Sequence, residues 1–158
     1  MVKHAVTEIE RVADQVRRSF EGQAWHGPSV REAIAGVSAA QAARKPVATA
    51  HSIWELLLHM GFWTEAVRRR LVGEVVSSEP PTKENFPTVA DASEAAWKQA
   101  QERVEALHAG LMQELQRCTD SRLGENVPGT RRRFYFELLG LAQHNAYHAA
   151  QMMLLKKM

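Results

Sequence analysis

The sequence predicts an all-α protein, a four-helix bundle with two long connections. Three observations carry this reading. Four long segments repeat apolar residues at i, i+3, i+4 and i+7, the period of a helix with one buried face. No segment alternates apolar and polar residues over a useful length, so no strand is indicated. The stretches between the helical segments hold all six prolines and most of the glycines, the residues that interrupt helices and shape turns.

The first segment covers residues 3–21, with Val6, Ile9, Val12, Val16 and Phe20 on one stripe. The second covers 52–73; Ile53, Leu56, Met60, Trp63, Val67 and Leu71 line it, and Ser52 suits the N-cap. The third covers 88–118, along Trp97, Ala100, Val104, Leu107, Leu111, Leu115 and Cys118. The fourth covers 131–157, from Phe134 to Leu155. Of the connections, residues 22–50 contain the Trp25-His26-Gly27-Pro28-Ser29 turn and Pro46. Ser38-Ala-Ala-Gln41 there matches a capping box and predicts a short helix. Residues 74–90, with Ser77-Ser-Glu-Pro-Pro81 and Pro87, are expected to carry no helix. Residues 119–130 contain Gly124, Pro128 and Gly129.

The whole chain, 1–158, reads as one domain, long enough for a sizeable core. Hydrophobic residues at 45% and charged residues at 24% fit an ordinary globular protein rather than a disordered one. A formal charge of +2 is too small to argue for nucleic acid. Arg131-Arg132-Arg133 is a local exception, read as a solvated helix start or an acidic contact. The apolar runs are too short to span a membrane. Residues 1–10 lack an apolar signal core, and a single cysteine excludes an internal disulfide. A cytoplasmic location is therefore expected. Cys118 ends an apolar stripe and is read as core packing rather than as a nucleophile.

The chemistry sits with the histidines. His144 and His148 lie four apart in the last segment, one above the other on a helix face. At about 100° per residue, the positions flanking His59 are Ser52, Glu55, Leu56, Phe62, Trp63 and Ala66, a mostly apolar and hence inward face. Around His144 the same arithmetic finds Leu141, Tyr147 and Leu155, with a polar thread of Glu137, the two histidines and Gln151. Two explanations stand. Each histidine bonds a neighbour and does nothing else, or all three hold one divalent metal ion. An unpartnered buried polar group costs about 1–3 kcal/mol, so something must serve them. Glu55, one turn before His59, is a candidate catalytic proton acceptor, a fourth ligand, an imidazole-orienting partner, or a solvated charge at the bundle edge. His51 is expected at the helix start near solvent, and His26 could cover the mouth of the site. His4 and His108 suggest no role.

Two of these segments resemble the DinB-like (DinB/YfiT-like) superfamily. His51-Ser-Ile-Trp-Glu-Leu-Leu-Leu-His59 is similar to that family's second helix with its single ligand histidine. Gln143-His-Asn-Ala-Tyr-His-Ala-Ala-Gln151 is similar to its last-helix His-x-x-x-His motif. The turn at Trp25 and Pro128-Gly-Thr130 fit one branch of it. Ala150 departs from the glycine many relatives carry there. The resemblance implies a four-helix bundle, a divalent metal (nickel or zinc), and frequent homodimers. By position, it implies His59, His144 and His148 as the metal ligands. Characterised relatives include mycothiol-dependent maleylpyruvate isomerase and bacillithiol transferases, so a low-molecular-weight thiol is an expected second cofactor.

The functional expectation is thus a metal-dependent thiol S-transferase acting on a small molecule. A metal-dependent hydrolase, or a non-enzymatic metal-binding stress-response module serving as a dimer scaffold, are the alternatives. Three protein ligands leave a coordination position open, which is the catalytic pattern. Basic groups from Arg131 to Arg133 could hold a carboxylate on thiol or substrate. No nucleic acid and no membrane partner is expected. A homodimer through helical faces is, because four Trp and five Phe exceed what one small core needs.

Overall fold

The computed structural model describes residues 5–158, and every regular element among them is a helix. Four are long: α1 (Glu8–Glu21), α4 (Ile53–Leu71), α6 (Glu94–Gln116) and α8 (Phe134–Lys157). Four are short: α2 (Val30–Ile34), α3 (Ala39–Ala43), α5 (Thr82–Asn85) and α7 (Asp120–Leu123). The long helices form a ring. α4 packs on α6 and α8, and α1 packs on α8 and α6, so α1 and α4 stand diagonally across the bundle.

Local chemistry sets the boundaries. α1 starts at Glu8 because Thr7 caps it: the Thr7 hydroxyl accepts from the Glu10 N–H and the Glu10 carboxylate accepts from the Thr7 N–H. Val6 therefore precedes the helix and is exposed rather than part of its stripe. α4 starts on the same reciprocal arrangement between Ser52 and Glu55. α6 begins at Glu94 rather than near residue 88, since Ser93 caps it and Pro87 precedes it. Ser38 caps α3 as expected, but the Gln41 amide reaches the Lys156 carbonyl instead of returning to the cap. The first connection holds a second short helix, α2, signalled by Ser29-Val-Arg-Glu32 and its own capping box. The proline-rich connection is also not helix-free. α5 fits one turn between Pro81, at its N-cap, and Pro87, beyond its end, where neither ring meets a helical carbonyl.

The interior divides into two apolar clusters. One gathers Phe20, Ile34, Trp54, Leu57, Met60, Trp97, Val104 and Met152. The other gathers Val12, Val16, Val67, Leu111, Leu115, Phe134, Leu138 and Leu141. Along each long helix the change from one cluster to the other falls at a polar residue: Ser19 on α1, His59 and Thr64 on α4, His108 on α6, and His144, Asn145 and His148 on α8. These residues form a polar waist across the bundle. The Asn145 amide donates to Ser19 Oγ at 3.1 Å, and Ser19 Oγ donates to the Val16 carbonyl at 2.8 Å.

Candidate metal centre

The waist contains one group of side chains able to hold a metal ion among the described residues: His59, His144 and His148. Two helices make it. α4 delivers His59 from one side, and successive turns of α8 deliver the other two, so the i, i+4 spacing is realised as geometry. His59 and His148 are buried and His144 half-buried.

The ring nitrogens converge on their Nε2 edges. His144 Nε2 lies 3.0 Å from His59 Nε2 and 3.0 Å from His148 Nε2. The outer nitrogens decide the tautomers. His59 Nδ1–H donates to the Asn85 carbonyl at 2.8 Å, and His148 Nδ1–H donates to Gln151 Oε1 at 2.6 Å. Both rings therefore present an Nε2 lone pair inward. At most one proton, on His144 Nε2, can lie among the three nitrogens, and it can point at only one neighbour. His144 Nδ1 is buried with no protein partner in either tautomer. A cation satisfies the three lone pairs together, and the donor set of neutral imidazoles suits a borderline divalent ion.

Electrostatics agree with a ligand role. Burial lowers the His59 pKa to about 4, against the opposing hydrogen bond to Asn85. Burial and the neighbouring His148 and His59 lower that of His144 to about 3. Burial also lowers His148, against the Gln151 bond. All three rings are neutral at pH 7, the form that binds a metal.

Around the ligands, the structure adds partners that the sequence did not reveal. Asn85, the last residue of α5, holds His59 with its backbone and accepts from Trp63 Nε1–H with its side chain at 3.0 Å. Phe86 lies flat between two imidazoles, 4.0 Å from His59 and 3.7 Å from His51. Nothing periodic marks these residues in the proline-rich connection; only the packing of α5 on α4 discloses them.

Glu55 is placed beside the first turn of α4. Its carboxylate accepts from the Ser52 N–H at 2.9 Å, pairs with Lys45 Nζ at 2.8 Å, and faces His51 Nδ1 at 3.5 Å. Burial raises its pKa, but the Lys45 and Ser52 hydrogen bonds outweigh this and leave it below the ordinary carboxylate value. His51 is exposed at the helix start, as expected. His26 sits exposed in its turn near Glu32 and is not among the clustered residues. His4 lies outside the described residues. Cys118 is half-buried, donates to the Glu114 carbonyl, and has its thiol pKa raised by burial, as core packing requires. The extra methyl group of Ala150 points to solvent rather than into the bundle.

Beside His144 a cavity of about 180 Å³ opens between α4 and α8, walled by Trp63, Val67, Phe136 and Leu141 and lined also by the charged Arg70, Arg132 and Glu137. Arg70 is buried and pairs with Glu137; it also donates to the Val76 and Ser77 carbonyls at 2.8 and 3.0 Å. Of the arginine run, Arg132 makes the acidic contact, 3.5 Å from Glu137, and donates to Ser78 Oγ. Arg133 instead donates to the Gly124 carbonyl at 2.6 Å.

The sequence profile of the DinB superfamily matches residues 24–152. The chain belongs to the DinB superfamily. No curated protein and no solved structure matches it. The matched stretch contains all three histidines, the whole of α4, and α8 as far as Met152. Among the described residues of this DinB-superfamily chain, no helix is long and apolar enough to cross a membrane.

Proposed function

We propose that this chain is a metal-dependent thiol S-transferase that joins a low-molecular-weight thiol to a small electrophile. One observation carries the reading: a cavity of about 180 Å³ is lined both by His144, of the cluster that could hold a metal, and by Arg70 and Arg132. A purely structural centre has no need of such an approach, and three protein ligands leave room for one more. Zinc or nickel suits the three imidazoles.

His59, His144 and His148, as neutral imidazoles, would leave a bound divalent ion its full charge, which would lower the pKa of a thiol, ordinarily about 8.5. The protein's own residues do the rest. Trp63 and Phe136 supply apolar walls that hold the carbon skeleton of the bound molecules. Arg132, half-exposed in the cavity lining, is the anchor for a carboxylate on the thiol or its acceptor. Arg70 is committed to Glu137 and backbone carbonyls and serves to fix the wall. Glu55 takes an orienting role. It holds the first turn of α4 and faces His51, which stacks through Phe86 onto His59.

The test is metal analysis of the purified chain, followed by a screen of thiols against an electrophile panel with and without chelation. Metal-dependent consumption of one thiol is expected. Arg132→Gln should raise KM for carboxylate-bearing thiols several-fold while leaving metal content unchanged. Thiol transfer that proceeds equally in metal-free protein would overturn the reading.

A further inference from the structure

A second cavity, of about 510 Å³, lies against a different face of α4. Its walls are α4, α6 and the proline-rich connection that carries α5. On α4 the lining residues run from Leu58 to Arg69 at spacings of three, one, three, one and three, a single helix face. That face lies about a quarter turn around α4 from His59. The floor is tight: a Cβ on Gly61 would come within 2.9 Å of Val104 Cγ2, so glycine lets α4 close on α6 there. Leu58, Phe62 and Leu107 nevertheless stay half-buried, because α5 buries none of its own residues and spans the space instead of filling it. The volume falls in the range of small-molecule sites, roughly 300–1,000 Å³.

The lining determines what fits. Leu58, Phe62, Ala66, Val104 and Leu107 call for an apolar body. α4 and α6 contribute three charged side chains, and two are already neutralised. Glu65 binds Arg68 through both carboxylate oxygens, at 2.7 Å each, and Arg69 pairs with Glu74 at 2.7 Å. Among the described residues the Arg103 side chain has no ion pair and no hydrogen bond. It leaves these two walls with one uncompensated positive charge, on a group whose planar fork suits a carboxylate. Glu84, in the roof, is the one opposing charge left; it is exposed and also unpaired.

The roof ties this cavity to the histidines. Glu84, Pro87 and Thr88 line it, and the two residues between Glu84 and Pro87 hold His59. The Asn85 carbonyl accepts from His59 Nδ1–H, and Phe86 stacks on the His59 ring at 4.0 Å. The Asn85 side chain also accepts from Trp63 Nε1–H. A molecule lodged against Glu84 and Pro87 therefore bears on the segment that orients His59. We propose that this cavity is a second small-molecule site, for a ligand with an apolar body and a carboxylate, and that its occupancy reaches His59 through α5. The site does not depend on the transferase reading, since it needs neither metal nor thiol.

The test titrates the metal-free full chain with phenylbutyrate, phenylbutyramide and phenylbutylamine, which share one apolar body and differ in charge. Calorimetry should show the carboxylate binding several-fold tighter than the amide, with the amine weakest. Arg103→Gln should bring the carboxylate down to the affinity of the amide, and Glu84→Gln should tighten it several-fold. Both side chains are exposed, so both variants should fold. Arg132→Gln, in the cavity beside His144, should change nothing. In the same titration the indole N–H resonance of Trp63, identified by its loss in Trp63→Phe, should shift with the calorimetric Kd. Absence of saturable binding would overturn the proposal, as would an amine that binds tightest. Carboxylate binding that falls with Arg132→Gln and not with Arg103→Gln would put the probe beside His144 and overturn it equally. A Trp63 resonance unmoved at saturation would refute the link through α5.

Discussion

Two sites in the polar waist bury histidine, and they solve the same problem differently. His108, on α6, stacks on Phe20 at 4.1 Å and has Nε2 3.2 Å from a Glu21 carboxylate oxygen. His59, His144 and His148 turn their Nε2 atoms toward one another, and no carboxylate joins them. Burial lowers the pKa at both sites. A perturbed histidine is therefore no mark of function by itself. What separates the sites is the partner: a carboxylate completes His108 within the protein, whereas three facing lone pairs call for a cation.

The largest expected effect tests that distinction directly. His148→Ala should abolish stoichiometric binding of zinc or nickel, measured by elemental analysis after gel filtration, while His108→Gln keeps it. One equivalent retained by the His148 variant would show that the ligands are misassigned. Next in size is the ion pair behind the cavity. Glu137→Ala strands the buried Arg70 guanidinium and should cost about 3–5 kcal/mol in denaturant unfolding. Glu21→Ala leaves a neutral, stacked His108 short of one hydrogen bond and should cost about 1–2 kcal/mol. Equal losses would erase the contrast between a charged and a neutral orphan.

The supporting hydrogen bonds offer a finer comparison. Gln151→Ala removes the side-chain acceptor of His148 and should weaken metal binding about 10- to 100-fold. Asn85→Ala keeps the backbone carbonyl that holds His59, so competition with a chelating dye should reveal only a slight change. The smallest effect concerns pH. The folded-state pKa of His108 lies below its ordinary 6.5, so the unfolded chain takes up a proton there first. The stabilisation is complete above about pH 6.5 and is lost as pH falls below it. The three clustered histidines act in the same direction in metal-free protein. Metal-free His108→Phe should thus show a shallower loss of stability between pH 6.5 and 5 than wild type. An unchanged slope would mean that Glu21 compensates fully for burial.

What the sequence alone determined is what short-range forces dictate. Apolar period placed all four long helices, because a stripe at i, i+3 and i+4 has one stable way to bury itself. Ser52 announced the start of α4 as its N-cap, and the spacing of His144 and His148 guaranteed a shared face. The wheel also turned His59 inward. It did not say what His59 would meet. That depended on α4 packing against α8, and on a one-turn helix between two prolines bringing Asn85 and Phe86 to the ring. The same holds for Arg70 with Glu137 and His108 with Glu21, partners separated by 67 and 87 residues. It holds also for the outer face of α8. The wheel grouped Tyr147 with the inward face of His144, and only the ring of helices showed that this side chain is left 62% exposed. Periodicity records that a face is apolar, but the choice of neighbour is a long-range property of the packed chain.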